Sequence, residues 1–193
     1  MAAGFTRRTT AVLAVSAAVL CGCSDEQKPA ETLPDASSSA STSSEALPPL
    51  GPSDFPMPAE ARTRDAAGAE AFTRYYIDLI NRTSAVMDAA PLREFSDGCA
   101  DCIRIASDTE QDAAAGYHYE GGDLTVTSMQ SSSSGSSTEV AFFVDQAALS
   151  VVDASGQPVP DLTFTAQEQA SCGATMRWDA ERSTWVLISL TLG

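Results

Sequence analysis

Five cysteines, one histidine and a surplus of carboxylates are the chemically able side chains of this 193-residue chain. Cys99-Ala100-Asp101-Cys102 has the spacing of a reactive dithiol at a helix start, and equally that of a short disulfide staple. A redox dithiol needs a lowered thiolate pKa, supplied by positive surroundings or the helix dipole. Asp97 and Asp101 flank the pair and act in the opposite sense. The strand–helix–strand setting of such enzymes is also missing, because both cysteines precede every predicted strand. Cys99, Cys102, Cys172 and His118 make four zinc-type ligands, but their spacing supports no zinc site. His118 lies between Tyr117 and Tyr119, so on a strand it faces opposite to both, as a surface histidine does. Asp108 and Asp112 share a helix face, Glu110 does not, and no glycine-centred calcium loop surrounds them. That pattern reads as a solvated acidic face. A single histidine leaves most Ser/His/Asp and Cys/His machinery without a base. No catalytic residue, metal ligand or cofactor is assigned.

Charge narrows the partners. Twenty-six acids face 11 Lys and Arg, for a net charge of −15, so the chain repels phosphate backbones and is no nucleic-acid binder. No apolar run reaches the roughly 18 residues of a spanning helix.

The first residues read as an address. Met1–Thr10 carries Arg7 and Arg8 and no acid, and Ala11–Leu20 is uncharged and nearly all small or aliphatic. That is a positive segment before an apolar one too short to span a bilayer. Leu20-Cys21-Gly22-Cys23 follows, with Ser24-Asp25-Glu26 after it. Gly22 suits a signal peptidase, and a thiol next to it can accept diacylglycerol as a thioether. The segment resembles the lipobox of bacterial lipoproteins, which implies a signal peptide over 1–22 and lipidation of Cys23. The alternative is a plain secretory signal cut near Ser16-Ala17-Ala18, with Cys21 and Cys23 incidental. Two acyl chains on Cys23 anchor a protein stably. Removal of 1–22 takes away two cations and no acid, so the mature chain is more acidic still. The expected location is the extracytoplasmic face of the cell membrane.

Residues 23–58 are Ser- and Pro-rich, with Ser37-Ser38-Ser39, Pro48-Pro49, Pro52, Pro56 and Pro58 and no hydrophobic period. Such a stretch buries too little to offset its ordering entropy and reads as an acidic tether. At about 30 residues it averages roughly 30 Å end to end and stretches to about 100 Å. Phe55 and Met57 are unusual in a pure spacer, so Leu47–Met57 is expected on the domain surface.

One domain is expected over 59–193. From Gly68, the positions Ala69, Phe72, Tyr76, Leu79, Ile80 and Thr83 follow helical spacing, with Glu70, Asp78 and Arg82 off that face. Pro91–Phe95 opens a short second helix. Ser96 or Asp97 can cap a third, running through Cys99, Cys102, Ile105, Ala106 and Thr109 to about Ala115, with Gly116 ending it. The period then switches to two. Strands are expected over Tyr117–Gln130 (broken at Gly121-Gly122), Thr138–Val152, Leu162–Trp178 and Ser183–Leu192. Ser131–Ser137 and Asp153–Asp161 read as loops and Asp179–Arg182 as a tight turn. The last strand is apolar on both faces, which predicts a central or doubly covered position.

Helices followed by about four antiparallel strands resemble the α+β cone of the nuclear-transport-factor and ketosteroid-isomerase superfamily, also described as cystatin-like. The resemblance implies a long helix in the hollow of a curved sheet. The run Gly68–Asn81 (GAEAFTRYYIDLIN), then Pro91-Leu92-Arg93, Ser96 and Cys99-x-x-Cys102, is similar to an actinobacterial family of secreted lipoproteins catalogued as a domain of unknown function. That family implies an exported, anchored domain and supplies no activity. Its motif carries Cys99 and Cys102 together, which, with the spacing, favours a disulfide between them and leaves Cys172 as the odd thiol; the alternative is that Cys172 pairs with Cys99 or Cys102 and leaves the other free.

Within such a cone Phe72, Tyr76, Leu79, Trp178 and Trp185 either line an apolar cavity or simply fill the core. An isomerase- or dehydratase-type enzyme would need a buried carboxylate there. Glu70 and Asp78 point off the apolar face, and nothing marks Glu139 or Asp145. The leading expectation is a non-enzymatic module of the cell envelope that binds an apolar small molecule or an envelope protein. The rivals are a pocket enzyme and a thiol-redox protein at Cys99 and Cys102. Asn81-Arg82-Thr83 matches a glycan acceptor but sits at a helix end, where it is discounted.

Overall fold

The computed structural model describes residues 47–193. The expected signal peptide over 1–22, Cys23 and the tether up to residue 46 lie outside the described residues.

Asp65 opens the first helix. In extended conformation, its carboxylate accepts the Gly68 N–H at 2.7 Å and starts α1, Ala66–Val86. Gly68 has to be a glycine, because a Cβ there would sit 2.0 Å from the Thr63 carbonyl oxygen. The expected stripe of Ala69, Phe72, Tyr76, Leu79, Ile80 and Thr83 is buried throughout. Met87, left-handed at φ 56°, ends the helix by donating its N–H to the Thr83 carbonyl. Pro91 lies in the first turn of α2, Ala90–Glu94.

The third helix, α3, spans Ala100–Ala114, and its cap is neither Ser96 nor Asp97. Cys99 Sγ accepts the Cys102 N–H at 3.3 Å instead. The expected caps are engaged elsewhere: the Ser96 hydroxyl donates to Leu92 O, and the Asp97 carboxylate pairs with Arg177 at 2.7 Å.

The chain then builds two antiparallel sheets, not one. Strands β2 (Leu124–Ser134), β3 (Ser137–Gln146), β6 (Gln167–Asp179) and β7 (Thr184–Thr191) form the four-stranded sheet, in the order β2-β3-β6-β7. Strands β1 (His118–Gly121), β4 (Leu149–Val152) and β5 (Pro158–Phe164) form a smaller one, in the order β1-β4-β5. The expected long strands over 117–130 and 138–152 both break, and they break opposite each other. Gly121 and Gly122 take positive φ, Gly122 N–H donates to Ala148 O, and Ala147 N–H donates to Asp123 O, each at 2.9 Å. The outer ends of that hairpin therefore swing away as a pair, and Pro158–Phe164, expected as mostly loop, joins them. The serine run expected as a loop is strand up to a tight turn at Gly135-Ser136.

Strand β7 stands at the edge of its sheet. Its free side is covered by the link between α2 and α3, where Leu187 N–H donates to Phe95 O and Asp97 N–H to Leu187 O. A bulge opposite Thr175/Met176 shifts its phase, so Leu187 and Leu190 both face the core while Ile188 is exposed.

The α+β class and the arrangement of helices against a curved antiparallel sheet are as expected. The core lies between the stripe of α1 and the inner residues Val140, Phe142, Val144, Ala174, Met176, Leu187 and Leu190. It begins before Ala59. Phe55 stacks on Tyr75 at 5.4 Å between ring centroids, Met57 is 8% exposed, and Arg82 holds Asp54 through two 2.9 Å contacts. Residues 50–57 thus form a strap across α1, and Tyr75 leaves room in it only for glycine at position 51.

Candidate functional site

The aromatic residues expected around a cavity are packed. Phe72, Tyr76 and Leu79 are 0–1% exposed; Phe72 meets Phe95 edge-on at 6.2 Å and the Tyr76 hydroxyl donates to Leu92 O. Trp185 stacks edge-on with Trp178 at 5.2 Å and donates its indole N–H to Thr63 O. Trp178 and Trp185 also border a small surface hollow beside Arg64, Asp65 and Ser133, while Phe72, Tyr76 and Leu79 follow the second of the two readings, core filling. Their apolar surface meets the sheet directly, so the middle of the cone is filled.

The cavity opens further along the same helix. About 330 Å³ of space lies among the C-terminal half of α1, α3, the β1–β2 junction and the four-stranded sheet. Ile80, Val144, Ala170 and Cys172, all buried, form its floor, with Ile105, Leu124, Leu149 and Leu192 beside them. Ser84 reaches it one turn beyond Ile80; Arg104, Ile105, Asp108 and Thr109 reach it as one face of α3. Arg104 and Asp108 are exposed at the mouth, paired at 3.5 Å, and Arg104 also holds Asp101 at 3.2 Å. Tyr119 enters from β1 and donates its hydroxyl to Asp112 at 2.6 Å. Burial first, and then the Asp112 carboxylate, push the Tyr119 phenol well above its ordinary range.

Sequence reasoning missed this position. The signals were present, since Ile80 and Ser84 extend the stripe of α1 and residues 104, 105, 108 and 109 share one face of α3. The opposing wall had no sequence signal, because it needs β1 to leave the main sheet at Gly121.

Cys99 and Cys102 form a disulfide with Cα atoms 5.3 Å apart, and Cys172 is a buried free thiol. Sulfurs bonded to each other are not available to zinc, and among the described residues no three His, Cys, Asp or Glu side chains gather as a metal site. His118 is exposed on β1. The acidic face of α3 is divided: Asp108 faces Arg104, Glu110 pairs with Arg93 at 2.9 Å, and Asp112 takes Tyr119. Asn81 is engaged by Leu124, donating to its carbonyl and accepting its N–H, both at 2.9 Å, so its amide is not offered as a glycan acceptor.

Fold and site together define a small α+β domain with a filled cone and an eccentric, mostly apolar cavity. Residues 54–191 match the family of unknown function DUF6318, and the chain belongs to it. No curated protein matches. Among solved structures, the intermembrane space region of the chloroplast protein ARC6 is 17% identical with a TM-score of 0.49, covering 67% of this chain and 97% of that one. Aln2 from a Streptomyces species is 11% identical with a TM-score of 0.39, covering 63% and 85%. An NTF2-like protein with a cystatin-like fold from Novosphingobium aromaticivorans is 14% identical with a TM-score of 0.33, covering 67% and 90%. At such scores none of their roles transfers to this chain.

Proposed function

We propose that this protein is a lipid-anchored module on the extracytoplasmic face of the membrane, whose domain holds a small, largely apolar molecule without transforming it. The cavity of about 330 Å³ with its buried Ile80, Val144, Ala170 and Cys172 floor carries the reading. Ligand sites are of this size and are walled mainly by apolar side chains with a few polar groups at the edge. Proton-transfer chemistry would call for a carboxylate in the dry part of the cavity. Asp108 is the acidic side chain of the wall, and it is 57% exposed and ion-paired. Binding is the simpler use of such a surface. The anchor rests on the Arg7-Arg8 segment, the apolar run and Gly22-Cys23.

Native mass spectrometry tests the binding. A Cys23→Ser protein, exported by its host and purified without detergent, should carry a small molecule that a Ser84→Trp variant loses. A clean apo mass for both would sink the reading. The same substitution tests the anchor: Cys23→Ser should move the protein from the membrane fraction into the medium, and an unchanged membrane fraction would refute lipidation.

A further inference from the structure

We infer that the cavity takes uncharged molecules and turns away carboxylates and phosphates; this rests on the binding reading above and specifies its ligand. The cation of the wall is Arg104, and Asp101 and Asp108 already hold it at 3.2 and 3.5 Å. An anionic head at the mouth would have to compete with two carboxylates for one guanidinium. One turn further along α3, Asp112 takes the Tyr119 hydroxyl at 2.6 Å, so the phenolic proton is engaged and a third carboxylate stands behind it. The mouth is thus net negative, and the whole chain at −15 adds a field of the same sign. A buried cation fares no better, because the floor of Ile80, Val144, Ala170 and Cys172 offers no carboxylate to pair with it. What fits is apolar over most of its length, with one hydroxyl- or carbonyl-type group that Ser84 or Gln146 can meet at the edge.

A matched pair of probes tests this, 1-decanol and decanoate, by equilibrium dialysis against the exported Cys23→Ser protein at neutral pH. Decanol should bind at least about fivefold more tightly at about 0.01 M salt, where charges are felt out to about 30 Å. Part of any preference comes from the cost of drying a carboxylate, so the diagnostic readout is how the ratio moves. It should shrink at about 1 M salt, where the screening length is about 3 Å. It should also shrink in Asp108→Asn and in Asp101→Asn, two exposed substitutions that leave the floor untouched. A ratio that ignores both salt and these substitutions overturns charge selection, as does equal or tighter binding of decanoate; the cavity reading survives either result. Binding of neither probe, or binding that Ser84→Trp fails to weaken, overturns the cavity reading and the selection with it.

Discussion

The Cys99–Cys102 bridge lies under the first turn of α3, its residues 0% and 1% exposed. Thiol exchange needs an accessible sulfur, so this placement suits a staple that ties the α2–α3 link to the helix it starts. Its loop is short, and replacing both residues by alanine should cost about 2 kcal/mol, at the low end of disulfide contributions. Urea unfolding of the double variant measures it; an unchanged midpoint would remove the staple role. The tyrosines set a second expectation. Tyr75 is buried beneath the strap, and burial, with a smaller contribution from Glu94, pushes its phenol to about 12. Burial likewise raises Tyr76 and Tyr119 well above the usual range. An unfolded tyrosine ionises near pH 10, so the folded state is favoured in full below that and loses this advantage as pH climbs toward 12. Roughly 2–3 kcal/mol is at stake for Tyr75 alone. Phenolate absorbance should therefore rise for Tyr75 and Tyr76, 3% and 1% exposed, only together with loss of the native circular dichroism. Independent, earlier ionisation would contradict their burial.

The strap over 50–57 shows how a segment of tether composition becomes part of a domain. Leu50, Phe55 and Met57 are apolar and pack on the core, while Gly51, Pro52 and Pro56 shape the path between them. A chain beginning at residue 47 keeps the whole strap and serves as the reference. One beginning at Ala59 loses the Met57 burial and the Phe55–Tyr75 stack, and should be weaker by about 3 kcal/mol or more. Thermal melts of the two truncations decide it, and equal midpoints would make the strap an ornament. Packing by a few residues was visible in the odd presence of Phe55 and Met57. Their partner Tyr75 was not, because a helix flank gives no sign of what crosses it.

At the scale of the whole molecule, charge belongs to the linear chain. Net charge is a property of composition, and the proposed anchor at Cys23 rests on the order of residues alone. The helices were legible as well: the stripe of α1 from Ala69 to Thr83 and the run from Cys99 to Thr109 are periodic patterns that a buried face imposes locally. The pairing of Cys99 with Cys102 was favoured by the family motif that carries both and by a spacing that allows it, and the fold is what joins them. The strands were legible as extended chain, not as sheets. Period two marks a strand without naming its neighbour, so the departure of β1, β4 and β5 into a second sheet had only Gly121-Gly122 to announce it. That departure makes the cavity wall. The aromatic residues of α1 and β7 were readable as apolar, but whether apolar side chains enclose space or fill it depends on the distance between the surfaces carrying them. Tertiary packing closed that distance at Phe72 and Tyr76 and left it open at Ile80 and Ser84, one to two turns further along the same helix.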